Sequence, residues 1–426
     1  MSVFKRHGVF MANVATMVSG KTAAAAIALL TMPIIARLFT PEDFGVAALF
    51  LSLAVIISNV GALRYEVALV LPKEESEALV LLAFTYRALI AISAALLLLV
   101  AAYEISGLSI HVFDSLGIWL WVVPAGVLLL TMLQIQENWL ARHRAFRVVA
   151  TSMIVGTGIT GGARIGLGLA YGSNVFGLIA GHMFGQLCRL FVQKRASRDG
   201  IVALLGKTRW PEMRAAVAKY ADFPRLNAPA ALMTAAAQQL PIVFLGVLFS
   251  PAIVGLYSMA TRLSQAPIVI VANSVRRVFL QKAAEIDKRG RSLTFAYLTS
   301  TGALVLLGVG PLLLLWFFGQ PLTAWLLGER WSDAGRYLEI LSPWLFMLWV
   351  TAPANSVFIV LRRQRLWLSL QFVGTLFRLS AFPIAYVKAA TPEWTLMAFV
   401  GATVVTNIAI ILTAARLTTH TRTKVD

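Results

Sequence analysis

The sequence predicts an all-α polytopic membrane protein of about twelve transmembrane helices, in two six-helix lobes related as parallel repeats. Three observations lead there. Apolar residues make up 59% and charged residues 13% of the 426-residue chain, with a mean hydropathy of +0.78. Soluble domains carry about 25% charged residues. Apolar runs of about 20 residues, the length an α-helix needs to cross a hydrocarbon core of about 30 Å, recur from end to end. Barrel strands would show segments of about ten alternating residues instead. Finally, Leu38-Phe39-Thr40-Pro41 with Gly45 returns as Leu248-Phe249-Ser250-Pro251 with Gly255, 210 residues on and close to half the chain length.

The runs place spans at 10–36, 44–70, 77–101, 117–140, 148–170, 175–192, 226–249, 255–280, 293–318, 335–360, 366–388 and 394–416. The first follows a basic start but continues through Leu38 without a cleavage site, so it reads as an uncleaved span. The second and eighth each follow a turn with proline near its start and glycine near its end. Spans five and six run through Gly-rich sequence that blurs their division. The stretch 193–225 is basic and amphipathic, the composition of a helix lying along a membrane surface. It also divides a lobe at 1–192 from a lobe at 226–426. Each lobe has an even number of spans, so the repeats run parallel.

Orientation follows from Lys and Arg. Connections 1–9, 71–76, 141–147, 193–225, 276–292, 361–365 and 416–426 hold 26 of the 37 basic residues. The opposite connections hold only Arg37, Arg330, Arg336 and Lys388. Both termini are therefore expected in the cytoplasm, and the chain in the cytoplasmic membrane. The formal charge of +18 is accounted for by loops facing anionic lipid, which argues against a nucleic-acid partner.

Seven basic residues remain: Lys21, Arg64, Arg87, Arg164, Arg189, Arg262 and Arg378. Arg189 lies near a helix end, within snorkelling reach of the interface. The other six fall inside spans, where a charge costs at least about 2.5–3.5 kcal/mol at the helix centre. Acidic residues inside spans are fewer: Glu66, Glu137 and Glu339. Polar residues align with these cations: Asn13, Thr16, Gly20 and Lys21 on span one; Asn227, Thr234 and Gln238 on span seven. Arg262, Gln265, Asn273 and Arg276 share a face of span eight, and Gln371, Thr375 and Arg378 a face of span eleven. Together these read as helices around a polar, cationic lumen. The plainer alternative is that each arginine snorkels or makes one structural ion pair.

Several motifs fail on context. Gly156-x-Gly158-x-x-Gly161 fits a dinucleotide pattern, but no strand precedes it. Close helix packing by small residues explains it better. The five histidines lack metal-ligand spacing, and the single Cys188 excludes an intramolecular disulfide. Glu104 and Asp114 in the outer loop 102–116 read as solvated charges. No nucleophile stands with a base, and no cofactor is expected.

ARLFTPEDFG, LRYEVALVLP followed by KEESEAL, YADFPR, QLPIVFLGVLFSPAIVGLYSMATRLSQAP, VFLQKAAE and GERWSDAGRYLEILSPW resemble the bacterial oligosaccharide-lipid (polysaccharide, O-antigen type) flippases. These belong to the multidrug/oligosaccharidyl-lipid/polysaccharide exporter superfamily, and the resemblance runs from about residue 10 to 380. It implies an alternating-access flippase, not an enzyme. The implied cargo is an undecaprenyl-diphosphate-linked oligosaccharide, moved to the periplasmic leaflet for lipopolysaccharide, capsule or exopolysaccharide assembly. It also implies a polysaccharide polymerase and a chain-length regulator as partners beside the lipid bilayer. Arg64 and Arg262 occupy matching positions for a cationic cavity, whereas Lys21, Arg87, Arg164 and Arg378 are added from their expected burial. Glu66 is the candidate for H⁺ or Na⁺ coupling. The branch that moves the peptidoglycan precursor usually has two further helices, which this chain lacks. The alternatives are a same-fold exporter of drugs or other small molecules and a membrane polysaccharide polymerase or ligase. The latter should show a large, polar outer loop, and these loops are short.

Overall fold

A computed structural model describes residues 3–197, 210–288 and 292–420, and among these it is helical with no strand. Among the described residues, eleven helical stretches are long and apolar enough to cross a membrane. The 38-residue helix Pro251–Lys288 accounts for the expected eighth span; it is more polar, though long enough at about 1.5 Å per residue. Packing divides the chain into a unit ending at Gly255 and a unit beginning at Leu256. The repeat boundary expected in 193–225 concerns internal symmetry, which packing does not address.

The first unit begins with α1 (Val3–Leu38) and α2 (Pro41–Ser58). Thr40 caps α2 in a capping box: its hydroxyl accepts from the Asp43 amide at 3.2 Å, while its own amide donates to the Asp43 carboxylate at 3.0 Å. Pro41 opens the helix, where a missing N–H costs nothing. Then follow α3 (Tyr65–Ala68), α4 (Glu75–Ser106), α5 (His111–Asp114), α6 (Val123–Arg142), α7 (Phe146–Tyr171) and α8 (Val175–Ala196). The division between spans five and six falls at Gly172, at φ 78°, before the Asn174 cap of α8. Close packing of small residues is what the Gly-rich run provides. A Cβ at Gly185 would strike Thr160 and the Gly156 carbonyl, and one at Gly168 would strike Phe39. Gly158, Gly162 and Gly166 face open space.

Within the linker, α9 (Trp210–Lys219) packs one face, Met213 and Ala216, against the unit and exposes the other. A π-helical turn over Phe223–Asn227 leads into α10 (Ala228–Leu248), and α11 (Pro251–Lys288) follows.

The second unit continues with α12 (Thr294–Leu327), α13 (Ser332–Val350), α14 (Ala352–Val360), α15 (Gln364–Ala389) and α16 (Pro392–His420). The sequence suggested a loop over 319–334. Instead α12 runs to Leu327, and the amide of Gln320, beside Pro321, donates to Glu339 Oε1 at 3.0 Å. That bond satisfies a group near a helix-breaking proline. Buried Tyr297 donates to the Ile411 carbonyl at 3.0 Å, and Thr351, at the break between α13 and α14, donates to Asn407 at 3.1 Å.

The second span departs most from expectation. It was placed over 44–70, but α2 stops at Ser58 and the chain turns through 59–64 before α3. Arg64 and Glu66 therefore lie beyond the helix and not inside it.

Candidate functional site

The break after α2 builds the site. Asn59-x-Gly61 is a turn former within an otherwise apolar run. A Cβ at Gly61 would strike Thr131 of α6, and Thr131 donates to the Ser58 carbonyl at 3.2 Å. The backbone then enters the left-handed region twice in succession, at Leu63 (φ 53°) and Arg64 (φ 64°). For residues with a side chain each such conformation costs about 1–2 kcal/mol.

Burial next to the turn outweighs that cost. Tyr65 (2% exposed), Ala68 and Leu69 join a core with Leu81, Leu82, Tyr86 and Trp139. A large side chain fully buried contributes about 1.5–3 kcal/mol. The Tyr65 ring meets Phe84 edge-on at 5.1 Å, and its hydroxyl donates to the Val217 carbonyl of α9 at 3.2 Å. Arg142, the last residue of α6, holds the far side of the turn.

Arg64 lines a cavity of about 410 Å³ with Asn59, Asn227, Thr234 and Gln238, over a floor of Val55 and three alanines. Asn227, Thr234 and Gln238 are the polar stripe expected on span seven, and α10 packs against α2 to bring it there. Among the described residues the lining contains no carboxylate. Arg64 Nη1 stands 3.4 Å from Glu66 Oε1. Its Nε is buried without a hydrogen-bond partner. Glu66 is 1% exposed, and neither of its oxygens accepts a hydrogen bond from another residue. Burial pushes the Glu66 carboxyl above the usual range, while its own amide and the Arg64 charge pull it back.

The other expected cations do not line this cavity. Lys21 is exposed on α1. Arg87 of α4 donates to Met213 Sδ of α9 at 2.7 Å. Arg164 lies on the α7–α8 seam, where its Nε donates to the Leu178 carbonyl at 3.1 Å. In the second unit Arg262 is half-buried on α11. Arg378 donates to the Gly374 carbonyl and the Thr375 hydroxyl of its own helix, both at 3.0 Å. The side chains of Asn13, Gln265, Asn273 and Arg276 lie outside the described residues. Arg189 is not a snorkelling residue: it pairs with Glu137 of α6. Both candidate in-span acids of the first unit thus face an arginine.

Asp114, expected as a solvated charge, is exposed. It accepts from Ser109 and from Tyr103, the latter at 2.7 Å, and those bonds hold its carboxyl below the usual range. Among the described residues no cluster of His, Cys, Asp or Glu could hold a metal ion.

Two site residues escaped the sequence reading. Asn59 was absorbed into an overlong second span, although the Asn-x-Gly turn was visible. Arg142 counted only as one of three basic residues in 141–147, and no local pattern distinguishes it.

The fold matches known transporters. Over 96% of its length the chain aligns, at a TM-score of 0.63 and 15% identity, with 96% of a multidrug resistance MATE family transporter of the MOP superfamily in an inward-facing conformation. A MOP superfamily transporter from Pyrococcus furiosus aligns over 98% of this chain and 96% of its own, at a TM-score of 0.52 and 15% identity. The chain thus shares the fold of these transporters, and its apolar helices make it a multi-pass membrane protein. Residues 34–336 match the family described as "Polysaccharide biosynthesis protein", and the chain belongs to it. The "Succinoglycan biosynthesis transport protein ExoT" of Rhizobium meliloti (strain 1021) is 25% identical over 353 residues. The match takes in 78% of this chain and 65% of that protein's length.

Proposed function

We propose that this transporter flips an undecaprenyl-diphosphate-linked oligosaccharide from the cytoplasmic to the periplasmic leaflet of the bacterial inner membrane, for surface polysaccharide assembly. The observation that carries the reading is the Arg64 cavity. It has one guanidinium with a buried, unpartnered Nε–H, and a wall of amides and a hydroxyl. An arginine fork suits a diphosphate, and amides suit the hydroxyls of a glycan. A volume of about 410 Å³ lies within the range of about 300–1,000 Å³ typical of ligand pockets. A cationic drug would instead want a carboxylate facing it, which this lining lacks.

Arg262, Arg378, Lys21, Arg87 and Arg164 are further cargo contacts in this reading, and Glu66 is the group for H⁺ or Na⁺ coupling. A polymerase and a chain-length regulator would receive the product. Transfer of a radiolabelled lipid-linked glycan across proteoliposomes tests the reading. Transport that falls in Arg64→Gln at equal protein content supports it; wild-type transport in that variant refutes the role of the cavity.

A further inference from the structure

Two consecutive left-handed residues with side chains do not persist by local preference. Such strain survives only where surrounding contacts over-determine it. On the α2 side of the turn, Thr131 bonds the Ser58 carbonyl and Gly61 is pressed against Thr131. On the other side α3 ends at Ala68, which leaves the Leu69 and Pro72 carbonyls beyond the helix, while the Glu74 carbonyl already accepts from the Ala78 amide of α4.

Arg142 supplies that side. Its Nη1 donates to the Leu69 carbonyl at 3.1 Å and the Pro72 carbonyl at 2.7 Å. Nη2 donates to the Glu74 carbonyl at 3.4 Å and to Glu75 Oε2 at 3.2 Å, and Nε donates to the same oxygen at 3.2 Å. All five N–H groups of the guanidinium are used. The side chain is 11% exposed, and it has no donor left for a ligand. Lysine could not replace it: an ammonium has three donors and no planar fork.

We propose that Arg142 is the positioning residue of the Arg64 cavity. It binds the 69–75 backbone, holds Leu63 and Arg64 in their left-handed conformation, and so keeps the Arg64 guanidinium at the cavity wall to receive an anion. This rests on the reading of the cavity as an anion site. Arg142 touches no cargo itself and acts through Arg64.

The test is binding of bare undecaprenyl diphosphate to the purified full-length protein, read by tryptophan fluorescence, with the thermal midpoint recorded for each variant. Arg64→Gln should weaken binding at least about tenfold, the loss expected when a hydrogen bond to a charged group goes. Arg142→Lys, which keeps the charge, should weaken it by a similar factor. Adding Arg142→Lys to Arg64→Gln should cost nothing further, because the first acts through the second. Leu63→Gly, which removes the steric cost of positive φ, should restore most of the binding lost in Arg142→Lys and none of that lost in Arg64→Gln. A purely structural Arg142 would lower binding again in the Arg64→Gln background. That result, or wild-type binding by Arg142→Lys, overturns the proposal while leaving the anion site standing. Wild-type binding by Arg64→Gln overturns the anion site, and the positioning role with it.

Discussion

Gly45 lies against the backbone carbonyl of Pro251, and Gly255 reciprocally against that of Pro41. The two copies of the sequence echo therefore meet at their helix starts, each glycine receiving the other's proline carbonyl. A Cβ at either glycine would overlap that carbonyl, and the obstacle is backbone that cannot swing aside. Gly45→Ala and Gly255→Ala should each destabilise the protein by about 1–3 kcal/mol or more, as overpacking does. The matched control is Gly158→Ala in α7, which meets open space and should be neutral or stabilising by about 0.5–1 kcal/mol. Thermal unfolding of the purified variants measures both.

The ion pair between Arg189 and Glu137 makes Arg189→Ala costly. With side chains 19% and 30% exposed, the loss should fall between the about 1 kcal/mol of a surface pair and the about 3–5 kcal/mol of a buried one. Arg189→Gln combined with Glu137→Gln should recover part of it, since no charge is left uncompensated. If Arg189→Ala unfolds at the wild-type temperature, the pair carries no weight.

Glu66 gives the protein a pH-dependent stability. Its folded pKa is raised above the unfolded value, so its favourable contribution is complete below the ordinary carboxylate range. That contribution is lost as pH rises through the raised value. Thermal midpoints measured from acid to neutral pH should fall relative to those of Glu66→Gln, which has no such slope. Parallel curves would show that Glu66 does not titrate between the two states.

Sidedness can be read by an impermeant thiol reagent after Cys188 is replaced. A cysteine at exposed Leu108, in a connection expected to face outward, should label in intact cells. One at exposed Arg214 on α9 should label only after permeabilisation. Labelling of position 214 from outside would reverse the orientation.

Long apolar helices were legible because hydropathy reports them directly, and the Pro-x-x-x-Gly echo because it is local sequence. The polar stripe running from the π-helical turn into α10 was legible for the same reason: Asn227, Thr234 and Gln238 follow helical spacing. What was hidden depends on the backbone leaving the helix. Leu63 and Arg64 are ordinary in sequence, and their left-handed geometry depends on contacts made by the flanking chain with residues far away, so the second span looked continuous. The roles of Arg142 and Arg189 were hidden because their partners lie 67–73 and 52 positions away. No window of sequence contains both ends of such a contact.

The early end of α2 also fixes how wet the site is. Eighteen residues rise about 27 Å, slightly short of a hydrocarbon core of about 30 Å. If α2 crosses upright from one interface, the turn that carries Arg64 begins at the depth where acyl chains give way to headgroups, within reach of interfacial water. At that depth the electrical cost of keeping a cation between cargoes is well below that at mid-membrane. Under the proposed function, the diphosphate headgroup of the cargo would exchange its own hydration for Arg64 there before any part of it enters hydrocarbon.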